Sequence, residues 1–153
     1  MTTPEFPATS PRALQAVIAR IESSDNPAAL RFEPAIYAAG ASAPLISRIA
    51  AVHDADDATA RMIAATSWGL FQIMGFNLWS GPHSYAGTCF EYCGDIIAQR
   101  LAFETFLKDR GMDYTLAALL NNAHLLIAFA TFYNGDGIRY ARAMRDAALA
   151  LGY

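Results

Sequence analysis

The 153-residue sequence predicts a mainly α-helical domain. Three observations lead there. Apolar residues recur at i, i+3, i+4 and i+7 in several stretches, which is the repeat of an amphipathic helix face. Ser, Asn, Pro and Gly fall where those stretches begin and end. Apolar–polar alternation is confined to residues 30–34, too little to build a convincing set of strands. No repeat and no linker interrupts the chain, and its length favours one domain. With 54% hydrophobic and 16% charged residues and a mean hydropathy of +0.21, a core forms without help from metal or disulfides.

In chain order, residues 1–11 form a short Pro- and Thr-containing arm, expected to be flexible, ahead of the domain at 12–153. Ser10 caps the first helix and Pro11 suits its first position. Leu14, Val17, Ile18 and Ile21 line one face of it. Pro27 stops it between Ser23 and Asn26. Leu30-Arg31-Phe32-Glu33-Pro34 reads as a short extended piece, with Ile36 and Tyr37 packing under it. Residues 38–44 are a small-residue loop and 45–52 a short helix. His53, followed by acidic turn residues, reads as a surface or capping residue. A helix follows over about 58–66. Residues 79–94, rich in Gly, Ser and aromatics, are the least regular part and are expected as a flexible lip. A helix from 91 or 95 to 108 has Ile96, Ile97, Leu101, Phe103, Phe106 and Leu107 as its apolar side, with Gly111 closing it. After a short helix over 113–120, Asn122 caps an almost wholly apolar helix over 123–133, expected as the central buried helix. Asn134 and Gly135 break it. A final amphipathic helix over 138–151 turns Arg139, Arg142 and Arg145 outward.

Bulk properties narrow the partners. Net charge is −3 and no basic tract is present, which argues against nucleic acid. No run reaches the roughly 18 apolar residues of a membrane span, so stable insertion is not expected. Residues 1–11 lack the basic start and apolar centre of a signal peptide. The expectation is therefore synthesis in a cytoplasm and delivery by another agent. Cys89 and Cys93 have no Cys or His partners at metal-site spacing, so neither metal nor cofactor is expected, and two free thiols are.

Residues 66–77 carry the first hint of chemistry. Trp68, Phe71, Ile73, Met74 and Phe76 favour burial, yet Ser67, Gln72 and Asn77 sit among them. Aromatic walls with a few placed amides are what a sugar-binding cleft needs. By itself the stretch also fits a helix with a tryptophan plug. Glu22 lies in the last turn of the first helix, beside its apolar stripe. The helix C-terminus and burial both push a carboxyl there toward its neutral form. A carboxylic acid kept protonated near neutral pH serves as a general acid. Position alone equally allows an exposed carboxylate at a frayed end. Glu33 is a second carboxylate of interest, open to pairing with Arg31 or Arg20, to binding substrate or to positioning water.

Three stations thus follow along a helical chain: Glu22-Ser23, Gly69-Leu70-Phe71-Gln72-Ile73-Met74 and Phe132-Tyr133-Asn134-Gly135. In that order they resemble the lysozyme-like superfamily, especially goose-type lysozymes and soluble lytic transglycosylases. The closer resemblance is to the N-acetylmuramidase domain of phage endolysins. It rests on Ile21-Glu22-Ser23, on the segment from Leu30 through Glu33 to Tyr37, on Ala65-Thr66-Ser67-Trp68-Gly69-Leu70-Phe71-Gln72-Ile73-Met74-Gly75-Phe76-Asn77, and on Phe129-Ala130-Thr131-Phe132-Tyr133-Asn134-Gly135. It covers roughly residues 14–140. Three departures stand out. Ser24-Asp25-Asn26-Pro27 replaces the glycines usual after Glu-Ser. Residues 80–93 differ, and the N-terminal wall-binding domain of many relatives is not expected here.

The resemblance implies a lysozyme-like helical fold with a glycan-binding cleft, acting as a monomer on bacterial peptidoglycan. It implies a glycoside hydrolase cleaving the β-1,4 bond between N-acetylmuramic acid and N-acetylglucosamine. Glu22 becomes the general acid. Glu33 and Asp25 are the candidates for a second carboxylate. Gln72, Asn77, Tyr133 and Asn134 become substrate contacts, with Trp68 and Met74 as walls. Action in the periplasm after release from a host cytoplasm follows from the same likeness. A lytic transglycosylase leaving 1,6-anhydro products, and a non-catalytic wall-binding relative, are the alternatives.

Overall fold

A computed structural model describes residues 3–81 and 83–153. Met1 and Thr2 of the expected arm and Pro82 of the expected lip lie outside the described residues. The chain divides into two compact units. One combines the chain up to Asp25 with Leu107–Tyr153, and the other is Asn26–Phe106.

The first unit is helical. It holds α1 (Pro11–Ser23), α8 (Leu116–Asn121), α9 (Ala123–Asn134) and α10 (Gly137–Ala150). The Ser10 hydroxyl accepts from the Arg12 amide, and Pro11 occupies the first turn, as its fixed φ allows. Ala13, Leu14, Val17 and Ile18 bury the inner face of α1 against α8 and α10. The Asn122 side chain caps α9 and the Asp136 side chain caps α10. Arg139, Arg142 and Arg145 are exposed, as the periodicity of α10 predicts.

One expectation fails here. The almost wholly apolar α9 is not buried all round. It packs on α8 and α10 and buries only Leu126, Phe129 and Ala130, while Ile127 is 40% exposed. Its outer side carries Ala123, Ala128 and Thr131, and methyl-sized groups cost little to leave in water.

The second unit holds β1 (Leu30–Phe32), α2 (Pro34–Ala39), α3 (Ala43–His53), α4 (Asp57–Ala64), β2 (Thr66–Trp68), β3 (Ile73–Met74), α5 (Gly75–Leu78), α6 (Cys89–Gly94) and most of α7 (Ile96–Lys108). The three strands form one antiparallel sheet in the order β1-β2-β3, with Arg31 opposite Ser67 and Ser67 opposite Met74. This corrects the expectation of no strand set. The extended piece expected at 30–34 contains β1, whereas β2 and β3, three and two residues long, are too short for alternation to become legible. Gly75 lets α5 approach α4, since a Cβ there would stand 2.0 Å from the Ile63 carbonyl oxygen.

His53 is a capping residue, as expected. Its Nδ1 lies 2.8 Å from the Ile49 carbonyl and its Nε2 accepts from the Cys89 amide at the start of α6. The expected lip is half ordered by that helix, whose Thr88 and Glu91 form a reciprocal capping box. Trp79 is fully buried and donates to the Gly87 carbonyl. Cys89 and Cys93 are free thiols, and burial pushes both upward in pKa. The apolar side of α7 is also corrected. Phe103 and Leu107 are buried, but Ile96, Ile97 and Leu101 are exposed, and Gln99 takes the inner position instead. No helix among the described residues is long and apolar enough to cross a membrane.

Candidate active site

In the first unit, Glu22 stands half-buried in the last turn of α1. The helix ends just beyond it because Ser24 (φ 54°) and Asp25 (φ 64°) both adopt the left-handed conformation. Glycine reaches that region without strain, and residues with a side chain seldom adopt it. Here local bonds hold the turn instead. The Asp25 amide donates to the Ala19 carbonyl, the Ser23 hydroxyl donates to the same oxygen, and the Asp25 carboxylate pairs with Arg20.

Tyr140 of α10 contacts Glu22. Its hydroxyl donates to Glu22 Oε1 at 2.5 Å. The Tyr133 ring stacks on Tyr140 with centroids 5.8 Å apart, and Phe129 stacks behind Tyr133 at the same spacing. Burial first, then Tyr133 and the Glu22 charge, push the Tyr140 phenol far up. The phenol therefore keeps its proton at any working pH and remains a donor. The ring stack fixes the direction of that donation, so one carboxyl oxygen of Glu22 is held in place. Asn134 ends α9 at the surface, next to Gly135 with φ +86°.

In the second unit, residues 69–72 form the turn between β2 and β3. Gly69 has φ +74°, and a Cβ there would stand 2.4 Å from Gln99 Oε1. Gln72 has φ +48°, uncommon for a residue with a side chain. Its own amide compensates. Nε2 donates to the carbonyls of Gly69 and Ala29 (2.9 and 3.2 Å), and Oε1 accepts from the Ser67 hydroxyl at 2.8 Å. Both amide hydrogens are thus committed to the loop, and one acceptor position is left. Trp68 is half-buried, donates from Nε1 to the Ile63 carbonyl, and meets Trp79 edge to face. Met74 and Asn77 are also half-buried. Glu33 accepts from Arg31 Nε at 2.6 Å through Oε1.

The structure thus joins Glu22 with Tyr140 and Tyr133 in one unit, and Ser67 with Gln72 in the other. Each candidate second carboxylate is drawn into an ion pair with a neighbouring arginine. Among the described residues no group of three or more His, Cys, Asp or Glu is placed to hold a metal.

Two residues escape the sequence reading. Tyr140 lies on the buried stripe of α10 with Ala141, Met144 and Ala148. The available signal was chemical, since a tyrosine on such a stripe needs a partner for its hydroxyl. Gln99 is wholly buried. Its Oε1 accepts from the Leu70 amide at 2.7 Å, and its Nε2 donates to the carbonyls of Pro27, Tyr92 and Cys93. It fastens the 69–72 turn from beneath. A lone amide on the apolar face of a helix was its only mark.

Comparison with known proteins identifies the family of the chain. The family model described as N-acetylmuramidase matches residues 24–151. An endolysin of Enterobacteria phage PRD1 is 34% identical over 125 residues, covering 78% of this chain and 83% of that protein. No solved structure matches.

Proposed function

The chain belongs to the N-acetylmuramidase family of endolysins within the lysozyme-like superfamily, and on that premise we propose that Glu22 is the general acid of its peptidoglycan cleavage. The observation that carries this reading is the Tyr140–Glu22 contact backed by two stacked rings. Glu22 lies ahead of the residues matched by the family model, so its support comes from its surroundings and from the Glu-Ser motif.

The bond cleaved is the β-1,4 link between N-acetylmuramic acid and N-acetylglucosamine. Glu22 gives its proton to the glycosidic oxygen as the C–O bond breaks, and positive charge spreads over the ring oxygen and anomeric carbon. Water then closes the reaction at the anomeric carbon, and Glu22 regains a proton. Glu33 is the first candidate to support that charge or to orient the water, and Asp25 is the second. Trp68, Met74 and Asn77 of the second unit, and Tyr133 and Asn134 of the first, are proposed substrate contacts. For Gln72 the proposal is narrower: it braces the turn and offers one acceptor position. The enzyme acts as a monomer on the wall in the periplasm, after release from the cytoplasm where it is made.

Glu33→Gln is expected to lower kcat at least tenfold without moving Tm by more than a degree or two, since an exposed pair contributes about 0–1 kcal/mol to stability. Initial rates of turbidity loss, set against a thermal melt, measure both. An unchanged rate reduces the Arg31–Glu33 contact to a surface ion pair.

A second reading has one observation in its favour. Both candidate carboxylates are occupied by arginines. The substrate's own acetamido oxygen can then assist departure, and a 1,6-anhydro product is one outcome of that route. Mass spectrometry of the released muropeptides separates the two, because the anhydro product is lighter by the mass of water.

Tyr140→Phe tests the positioning of Glu22 through pH. A hydrogen bond donated to a carboxylate favours its charged form. A general acid is spent once it is charged, so activity falls as pH rises through its titration. Removing the phenol hydroxyl shifts that alkaline limb to higher pH and lowers the plateau by roughly tenfold as alignment loosens. A lower plateau with an unmoved limb means that Tyr140 only supports packing.

A further inference from the structure

Within the second unit a cavity of about 250 Å³ opens beside α2. It is not a packing fault hidden in the core. The six residues of α2 include none that is buried, and Tyr37 is 40% exposed. A helix that perches over an unfilled space leaves its apolar side uncovered, and protein interiors seldom keep such voids.

The lining has a definite chemistry. Its lining is mostly apolar and includes Tyr37, Phe76, Ala41 and Ala65. Arg61 of α4 supplies the single formal charge. No carboxylate among the described residues pairs with Arg61, not even Asp57 one turn earlier on the same helix. Ser42, at the start of α3, adds a hydroxyl that makes no capping bond. The site therefore offers one unneutralised guanidinium, one free hydroxyl and methyl-sized apolar walls. Its volume lies below that of a pocket for a drug-sized ligand, and so suits about a dipeptide rather than a disaccharide.

Charge and size select an occupant. The ligand needs one carboxylate for the guanidinium fork and small aliphatic groups for the walls. The glycan backbone has methyl groups on its acetamido and lactyl substituents, but where a stem peptide is attached the lactyl carboxyl is tied up in an amide and offers no carboxylate. The stem peptides that hang from N-acetylmuramic acid carry both, because they combine alanyl methyl groups with free carboxylates. We propose that this cavity binds the D-alanyl carboxylate end of a peptidoglycan stem peptide, with Arg61 as the carboxylate anchor and Ser42 as a second donor. The inference rests on the muramidase reading and extends it from the glycan to the peptide. It gives an acidic protein of net charge −3 a local means of attracting an anionic part of its substrate.

The test uses the full chain and two probes that differ only in the carboxylate, N-acetyl-D-alanyl-D-alanine and its C-terminal amide. Each is titrated while NMR signals of Tyr37, Ser42 and Phe76 are followed. The acid is expected to shift those signals and the amide to bind roughly tenfold more weakly, the size of one charge-assisted hydrogen bond. Arg61→Gln is expected to remove that preference and Arg61→Lys to keep part of it. Ala41→Phe, which fills the cavity from its loop side, is expected to abolish binding of both probes. Equal binding of acid and amide overturns the proposal. So does a preference that survives Arg61→Gln, absence of binding by either probe, or a shift of the same signals by chitotriose. Wall lysis by the wild-type protein, measured in parallel, reports on the muramidase reading alone. Its failure beside intact probe binding is therefore distinguishable from failure of the pocket.

Discussion

Replacing Glu22 by Gln is expected to abolish wall lysis while leaving the fold in place. Clearing of permeabilised Gram-negative cells should slow by about three orders of magnitude, within the range that a positioned general acid contributes. Gln keeps the shape of Glu, and its amide oxygen still accepts from the Tyr140 hydroxyl. What it loses is the transferable proton. Stability should therefore stay within about 1 kcal/mol, a shift of only a few degrees in Tm for a chain of this size. Glu22→Asp is the sharper companion. It keeps the acid but withdraws it by one methylene from the phenol, so it should retain a small fraction of activity. Full lysis by Glu22→Gln removes Glu22 from the chemistry. Lost lysis with a collapsed melt shows instead that the carboxylate was holding α1 to α10.

Much of the framework could be read from the chain because local chemistry dictates it. Ser10 and Pro11 start α1, and Asn122 starts α9, by the bonds their residue types favour. The outward arginines of α10 follow from its period. The place of Glu22 in the last turn of α1 followed from the helix period and its stop at Pro27, whereas the roles proposed for Glu22 and Gln72 came from motif likeness. What stayed hidden depends on long-range contact. Tyr140 reaches Glu22 across 118 positions of sequence, and Gln99 reaches Pro27 across 72. Neither pairing leaves a periodic trace. The sheet was missed because β2 and β3, the partners of the extended piece at 30–34, are too short to alternate. The burial of α9 was overstated because apolar composition was taken as a sign of enclosure, when alanine and threonine tolerate water. The ion pairs of Asp25 and Glu33 came from arginines five and two positions away, which sequence spacing permits but does not require.

The largest stability effect should come from Gln99, a residue that never meets the reaction in this scheme. Gln99→Leu nearly preserves volume, so cavity formation is a small part of the cost. The main part is polar. The Leu70 amide loses its acceptor, and the carbonyls of Pro27, Tyr92 and Cys93 lose their side-chain donor. Each buried group left unsatisfied costs about 1–3 kcal/mol, and they share one side chain, so the sum is less than additive. A loss of roughly 3–5 kcal/mol is expected, or on the order of 10 °C in Tm. Activity should fall with it, because the turn that Gln72 braces rests on the Leu70 bond. Gln99→Glu separates this account from simple loss of packing. Its carboxyl oxygen can still accept from Leu70, but its second oxygen faces carbonyls and must carry a proton to be tolerated. Burial without a cation then raises the folded-state pKa above the unfolded value of about 4.3. A raised pKa makes its contribution to stability fully present below the unfolded pKa and lost as pH rises through the folded one. Gln99→Glu should therefore melt near the wild type at acid pH and progressively lower toward neutrality, relative to wild type at each pH. A Tm difference that is flat across that window would mean that the amide is a filler of space and not the clasp of the 69–72 turn.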